Sequence, residues 1–547
     1  MRLILPHRVY RVVLMSSLTL SGLLLMGADG CGSKTKMVPM RDGVSLATDT
    51  YPLANRTAPT VLFRTPYGRD GMASTAQALN TNGFAAVSQD MRGFGDSGGE
   101  FMMFTDDAWG TRQDGYDTVE WIATNDWSDG QVCMYGASAL SISSLLAAGS
   151  TPPSLTCLYV LVGTGNLYYD VSYWGGVLRD EMVTNWLDAL GQTASYEAVV
   201  RHDVDDSFWD PVSLQEQYAR VNVPVYSVGG WYDIFSQGNL DIFTGAETSG
   251  GDGARGTQKL VMGPWSHASG GPTVGELTFP DNAILEWGDE LRWFDFWLKG
   301  TPNGIDAEAP VRYYLMGDVT ESSTRWNIWK TADFWPVPST PTVFYLQSGG
   351  GLSRSQPPGG VAPSTYVYDP ADPVPTVGGN NLVLVSGPYD QRSVESRSDV
   401  LIFETPVLTE PLAITGRVKA RLWVSTSAVD TDFTVKLTDV YPDGRSMLLL
   451  DGIARLRFRE GFDREVLAEP GVVYPLDVDL WSTAQVFNAG HRVRVAISSS
   501  NASRFKVNPN TGAAIEAEDG TVIEADQSVY HDITRPSQLI LPVVPLP

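Results

Sequence analysis

The chemistry open to this chain rests on a serine at a sharp turn and on a histidine and an aspartate that each follow an apolar run. The stretch QVCMYGASALSISSLLAAGS, residues 131 to 150, reads as a strand, a tight turn presenting Ser138, and a helix. A serine held this way needs small neighbours, because strand and helix backbones nearly touch there. Gly136 stands two residues before it, and Ala137 and Ala139 flank it. The helix that follows would aim its first N–H groups at an oxyanion forming beside Ser138. The motif is incomplete, since Leu140 takes the last position of G-x-S-x-G. Short G-x-S matches also arise in ordinary βα turns, so Ser138 is only as good a nucleophile as the partners the chain supplies.

A serine nucleophile needs a base to take its proton and a carboxylate to orient that base. Beyond the N-terminal leader the histidines are His202, His267, His491 and His531. His491 and His531 fall in a β-rich region and read as strand-surface residues, while His202 lies in an acidic segment. His267, in KLVMGPWSH, follows a sheet-like strand. Asp233 ends VPVYSVGGWYD, where Gly229 and Gly230 permit a tight exit. Taken singly, these are a turn aspartate and a structural imidazole. Together, Ser138, Asp233 and His267 stand in the Ser, Asp, His order of α/β hydrolases.

Such a set has to be placed at the carboxyl ends of parallel strands. From residue 37 to 162, short apolar strands alternate with amphipathic helices: APTVLFRTPYG, GFAAVSQDMRG and QVCMYGAS, with DGYDTVEWIATNDW helical between the last two. That rhythm predicts a parallel α/β sheet. Residues 163 to 217, rich in aromatics and acids, break it and read as a helical cap inserted over the sheet. The rhythm resumes from 218 to 310 and closes with the helix LRWFDFWLKG. From 311 to 547, short β-rich runs between Gly, Pro, Asn and Asp predict an all-β sandwich.

The 547 residues have an ordinary globular composition, 43% hydrophobic and 18% charged. Arg2, Arg8 and Arg11 precede an apolar run from Val12 to Met26, a secretory signal pattern too short for a membrane span of roughly 20 residues. Cys31 after Gly30, followed by a polar linker to residue 36, resembles a bacterial lipoprotein processing site, although Ala28 and Asp29 depart from the usual residues. A lipid on Cys31 is expected, with simple cleavage and release as the alternative. Loss of residues 1 to 30 takes away three arginines and Asp29, moving the net charge from −25 to −27. So acidic a surface disfavours nucleic acid and anionic membranes as partners. Cys133 and Cys157 read as two small buried residues in neighbouring parallel strands rather than as a disulfide. The HDVDD run at 202 to 206 lacks the glycine and final glutamate of a calcium loop, and is expected to be a solvated acidic face rather than a metal site.

Several ordered motifs resemble the cocaine esterase and X-Pro dipeptidyl-peptidase family of serine hydrolases. They are RTPYG at 64 to 68, QDMRGFGDSGGEF at 89 to 101, the DGYDTVEWIA helix, GGWYD, GPWSH, RWFDFWLKG, and the block from YDPADPVPTVGG to GPYDQRSVESRSDVLIF. The resemblance runs from about residue 37 to the end. It implies an α/β-hydrolase domain with a helical cap and a C-terminal jelly-roll sandwich. It implies Ser138 as nucleophile, His267 as base then acid, Asp233 as orienter, and Tyr67 with the Ala139 N–H as oxyanion donors. It also implies Phe235 and Trp186, with Trp174 a looser match, as pocket aromatics. Where the family commonly has Tyr after the nucleophile and Gly three after it, this chain has Ala139 and Ser141.

Relatives acting on α-amino esters place acids just after the orienting Asp, since a buried ammonium needs countercharge. Here Ile234, Phe235, Ser236 and Gln237 follow, which disfavours an α-amino requirement unless Asp180, Glu181 or the Asp203 to Asp206 group supplies charge from the cap. The expectation is an exported, lipid-anchored serine hydrolase acting on small-molecule carboxylic esters through an acyl-enzyme. Its chemistry requires no metal or organic cofactor. The rivals are an acylase or X-Pro peptidase, and a surface binding lipoprotein that has kept a hydrolase fold.

Overall fold

The computed structural model describes residues 33–546. The expected signal peptide and Cys31 lie outside the described residues. A ten-stranded mixed sheet runs through the first part of the chain: β1 Lys34–Pro39, β2 Ser45–Tyr51, β3 Ala58–Thr65, β4 Ala85–Asp90, β5 Ser128–Ala137, β6 Leu155–Leu161, β7 Val225–Tyr232, β8 Lys259–Ser266, β9 Val311–Leu315 and β10 Ile328–Ala332. Its order is β1-β2-β4-β3-β5-β6-β7-β8-β9-β10. Strands β3 to β9 are parallel to their neighbours, and β1, β2 and β10 add antiparallel edges. Strands β3, β4, β7 and β8 are buried along their whole length, as expected of parallel strands covered on both faces by helices.

The covering helices are α1 Ala73–Thr81, α2 Asp114–Ala123, α3 Ala139–Gly149, α4 Asp180–Leu190, α5 Thr193–Arg201, α6 Ser236–Ser249 and α7 Asp289–Lys299. Of these, α4 and α5 belong to the cap. Every residue of α3 is buried, which its unbroken run of small and apolar residues allows. By contrast, α4 keeps an apolar face of Met182, Val183, Trp186 and Leu187 toward the core and is acidic at its first turn.

The C-terminal part is an all-β sandwich built around the strand Leu412–Thr426, which pairs with Tyr474–Phe487 and with Gln538–Val544. Within it Val418, Ala420 and Leu422 point inward while Arg417, Lys419 and Arg421 face out, the period-two pattern of a sheet with one wet face.

The structure corrects four expectations. The linker does not reach residue 36, because Lys34–Pro39 already pairs with β2. The sandwich does not begin at 311, because Val311–Leu315 adds in parallel to β8 and Ile328–Ala332 follows as the sheet edge; the first sandwich strand starts at Thr340. Cys133 and Cys157 are register partners on β5 and β6, and they form a disulfide. His491 and His531 are buried, not on a strand surface. His491 lies between Asp439, at 2.7 Å from Nδ1, and Asp318, at 3.3 Å from Nε2.

Candidate active site

Ser138 sits between β5 and α3 with φ 58° and ψ −122°. A non-glycine residue there is strained, at a cost of order 1–3 kcal/mol. The surroundings impose it: a Cβ on Gly136 would come within 2.4 Å of the Leu140 Cβ, so only glycine lets the strand pass so close to the helix it feeds.

The departure at Ser141 is absorbed on the neighbouring strand. Its hydroxyl is 2.7 Å from the carbonyls of both Gly136 and Leu161, and it accepts from the Leu161 N–H at 3.1 Å. Space for its Cβ comes from Gly163, where an added Cβ would lie 2.4 Å from that of Ser141. A serine at this position is therefore accommodated, and it ties β5, α3 and β6 together.

Asp233 follows β7 and is fully buried. Its Oδ1 accepts from the Phe235 N–H at 2.6 Å, which fixes the carboxylate plane, and its Oδ2 meets His267 Nδ1 at 2.6 Å. Gly230 permits the close crossing of β7 and β8, since a Cβ there would lie 2.2 Å from the Trp265 carbonyl. His267 follows β8, and its Nε2 is 2.9 Å from Ser138 Oγ. Phe235 stands edge-on to the imidazole, ring centres 5.6 Å apart. Ser138, His267 and Asp233 thus form one continuous hydrogen-bonded series, drawn from three strand ends.

Tyr67 comes from the turn after β3. Its N–H donates to Thr65 Oγ1 at 3.0 Å, and two residues on, the Arg69 N–H donates to Asp90 Oδ1 at 2.6 Å. The Tyr67 hydroxyl oxygen accepts from Trp186 Nε1 at 3.0 Å. Burial pushes the phenol up to about 12, against the smaller opposing effect of its bonds to Trp186 and Ser138. It is therefore neutral and able to donate at physiological pH. The Ala139 N–H is the first of α3, where no intrahelical acceptor exists. Tyr67 and Ala139 thus approach Ser138 from opposite elements.

An apolar pocket enclosing about 20 Å³ adjoins Ser138 and Ala139; that is room for about one water-sized sphere. Phe235 and Trp186 line it, as do Met103, Phe104, Ile142 and Leu382. Trp186 stacks on Phe104 with ring centres 5.9 Å apart. The sequence offered no sign of Met103 and Phe104, which emerge from a glycine-rich loop without periodicity, or of Leu382, which arrives from the sandwich. Trp174 is not in the pocket. It stacks on Trp481 at 3.7 Å and donates to the Asp479 carbonyl at 3.0 Å, so it is a contact between cap and sandwich.

Among the described residues, no charged side chain lines the pocket. Asp180 borders a separate cleft with Lys506 and Glu518. Glu181 accepts from backbone N–H groups of the sandwich loop. Of the acidic run, Asp206 pairs with His202 at 2.8 Å and Asp205 accepts from the Tyr169 hydroxyl at 2.8 Å. Of the cap acids weighed as countercharges, Asp180, Glu181, Asp205 and Asp206 are therefore engaged elsewhere. Among the described residues, no group of three His, Cys, Asp or Glu side chains is placed to hold a metal ion.

Comparison with known proteins agrees with this architecture. Residues 42–199 and 189–269 match the X-Pro dipeptidyl-peptidase (S15 family) model, and residues 303–540 match that of the X-Pro dipeptidyl-peptidase C-terminal non-catalytic domain. The chain is 34% identical to the cocaine esterase of Rhodococcus sp. (strain MB1 Bresler), over 93% of this chain and 98% of that protein. Among solved structures, an α-amino acid ester hydrolase superposes with a TM-score of 0.79 at 27% identity, covering 96% of this chain and 99% of its own. A CocE/NonD family hydrolase from Staphylococcus aureus shares the fold, with a TM-score of 0.72 at 19% identity and 93% of each chain covered.

Proposed function

The chain belongs to the cocaine esterase and X-Pro dipeptidyl-peptidase family of serine hydrolases, and from that membership we propose that it is an exported esterase cleaving neutral carboxylic esters through an acyl-Ser138 intermediate. The observation that carries this reading is the hydrogen-bonded series from Ser138 Oγ through His267 to Asp233. His267 Nε2 takes the hydroxyl proton as Ser138 Oγ bonds to the ester carbonyl carbon, and the carbonyl π electrons move onto oxygen. The Tyr67 hydroxyl and the Ala139 N–H stabilise that oxyanion, and Asp233 stabilises the imidazolium. Collapse breaks the acyl C–O bond, and His267 gives its proton to the departing alkoxide. Water then attacks the acyl-Ser138 with His267 again as base, releasing the acid and restoring the serine.

The neutral pocket favours an ester without an α-amino group. An X-Pro peptidase must hold its substrate's N-terminal ammonium, and a buried cation without a carboxylate costs several kcal/mol. Export and a lipid on Cys31 belong to the same proposal. The leader pattern supports both, and the Cys133–Cys157 disulfide, a bond that persists in oxidising compartments, supports export.

The test is a panel of p-nitrophenyl esters of rising acyl length, an α-amino acyl ester and an X-Pro p-nitroanilide. Short neutral esters should be hydrolysed at least about tenfold better in kcat/KM than their α-amino counterparts, a margin of about 1.4 kcal/mol. Preference for the X-Pro anilide, or no turnover of any ester, would refute the reading.

A further inference from the structure

The sandwich loop between Gly379 and Gly387 closes at its base through paired backbone bonds, Gly379 N–H to Gly387 carbonyl at 2.8 Å and the reverse at 2.9 Å. It reaches the catalytic centre at two points. Asn380 Nδ2 donates to the Asp233 carbonyl at 2.6 Å and lies 3.2 Å from that of Trp231. Leu382 forms part of the pocket wall. The tip beyond carries Val383 and Val385, 42% and 55% exposed, so apolar burial does not fix it.

Within the loop, Asn381 Nδ2 donates to the Gly378 and Val385 carbonyls at 2.9 and 2.8 Å, and from the cap Glu181 supplies a further hold. Glu181 stands in the first turn of α4, five residues before Trp186, and is 5% exposed. Among the described residues, no basic side chain lies within ion-pair distance of it. Instead, Oε1 accepts from the Val383 N–H and from the Leu384 N–H, the latter at 2.8 Å, and Oε2 lies 3.5 Å from the Leu382 N–H. Successive backbone N–H groups that converge in this way form an anion-binding nest, and charge-assisted bonds of this kind are the strong ones. Here the anion is the cap's own carboxylate. The same helix is tied to the sandwich a second time, by the Glu181 N–H to the Arg504 carbonyl at 3.2 Å.

We propose that Glu181 is a positioning residue that sets acyl size: by clasping the backbone of 382–384 it holds Leu382 against the pocket, and without the clasp the wall retreats and longer acyl groups enter. Removing the carboxylate takes the shared acceptor from the part-buried N–H groups of 382–384, and the loop relieves this by moving outward to water. The inference rests on the esterase reading above and concerns selectivity within it.

The test uses the full chain with Glu181→Ala, Glu181→Gln, Leu382→Ala and the Glu181→Ala/Leu382→Ala double variant. Its readout is the ratio of kcat/KM for p-nitrophenyl hexanoate over acetate. The ratio should rise about tenfold in Glu181→Ala and in Leu382→Ala, while the double variant exceeds the larger single by no more than about twofold, because both remove the same wall. Glu181→Gln, which keeps one acceptor oxygen, should fall between wild type and alanine, and it carries the test if Glu181→Ala does not fold. An unchanged ratio, an equal loss on both esters, or shifts that multiply in the double variant would overturn the clasp. Absence of ester turnover in the wild type would instead refute the esterase reading.

Discussion

Trp186 Nε1 donates to the hydroxyl oxygen of Tyr67 at 3.0 Å. One side chain of the cap thereby both walls the apolar pocket beside Ser138 and directs the tyrosine's proton away from itself, toward Ser138. Trp186→Phe keeps the ring and loses the donor. It should lower kcat by about tenfold, the worth of one hydrogen bond of about 1.4 kcal/mol, with KM changed by less. Tyr67→Phe, which removes the proposed oxyanion donor itself, should lower kcat by about 10²–10³. Steady-state kinetics on one short ester checks both.

The pairing of Ser141 with Gly163 is a compensation that can be reversed. Gly163→Ala places a Cβ 2.4 Å from that of Ser141, and should destabilise by about 1–3 kcal/mol through overpacking. Adding Ser141→Gly removes the clash and should recover most of the loss, although it gives up the serine's bonds to β5 and β6. Thermal unfolding of the two singles and the double decides this, and a simple sum of the two effects would contradict the compensation.

How much of this was legible in the sequence depends on the residue. Ser138, Asp233 and His267 could be picked out because each ends an apolar run, and a parallel sheet puts functional side chains at such ends. The pocket was legible only in part. Its walls come from the loop at 103–104, from α4 and from the sandwich, and an aromatic side chain carries no sign of its direction; Trp174 turned to Trp481 instead. The boundary at 310 misled because the turn signals after β9 look like those of a sandwich, whereas the strand's partner, β8, is set by tertiary packing. His491 was readable after all. It is in phase with Val493, Val495 and Ile497 of the following strand, the inward-facing set.

Buried His491 predicts a loss of stability in alkali. Burial alone would lower its pKa, but the hydrogen bonds and charges of Asp318 and Asp439 outweigh that and raise it to about 9. Burial pushes Asp439 up to about 6, partly offset by His491. The histidine's folded value lies above its ordinary 6.5, so its contribution is complete below that pH and is lost as pH rises through about 9. The loss is on the order of 3 kcal/mol. The unfolding midpoint should fall between pH 8 and 10. His491→Gln should be less stable at pH 7 and show a flatter dependence over that window.

The Cys133–Cys157 disulfide closes a loop with a sequence separation of 24, and chain-entropy reasoning gives it about 3 kcal/mol. Protein made in an oxidising compartment, denatured without reductant, should take up no thiol reagent at either cysteine. After reduction it should take up reagent at both and unfold earlier on heating. Fatty-acid labelling of wild type but not of Cys31→Ala would mark the anchor, and label retained in that variant would refute it.

The central claim is that Ser138 is the nucleophile made reactive by His267 and Asp233. Its most direct measurement is the site of attachment of a fluorophosphonate probe, read by peptide mass mapping. Wild type should carry one probe on the peptide containing Ser138, His267→Ala should label at least about 10³-fold more slowly, and Ser138→Ala should not label. Labelling that persists in Ser138→Ala, or that maps to another serine, would contradict the account.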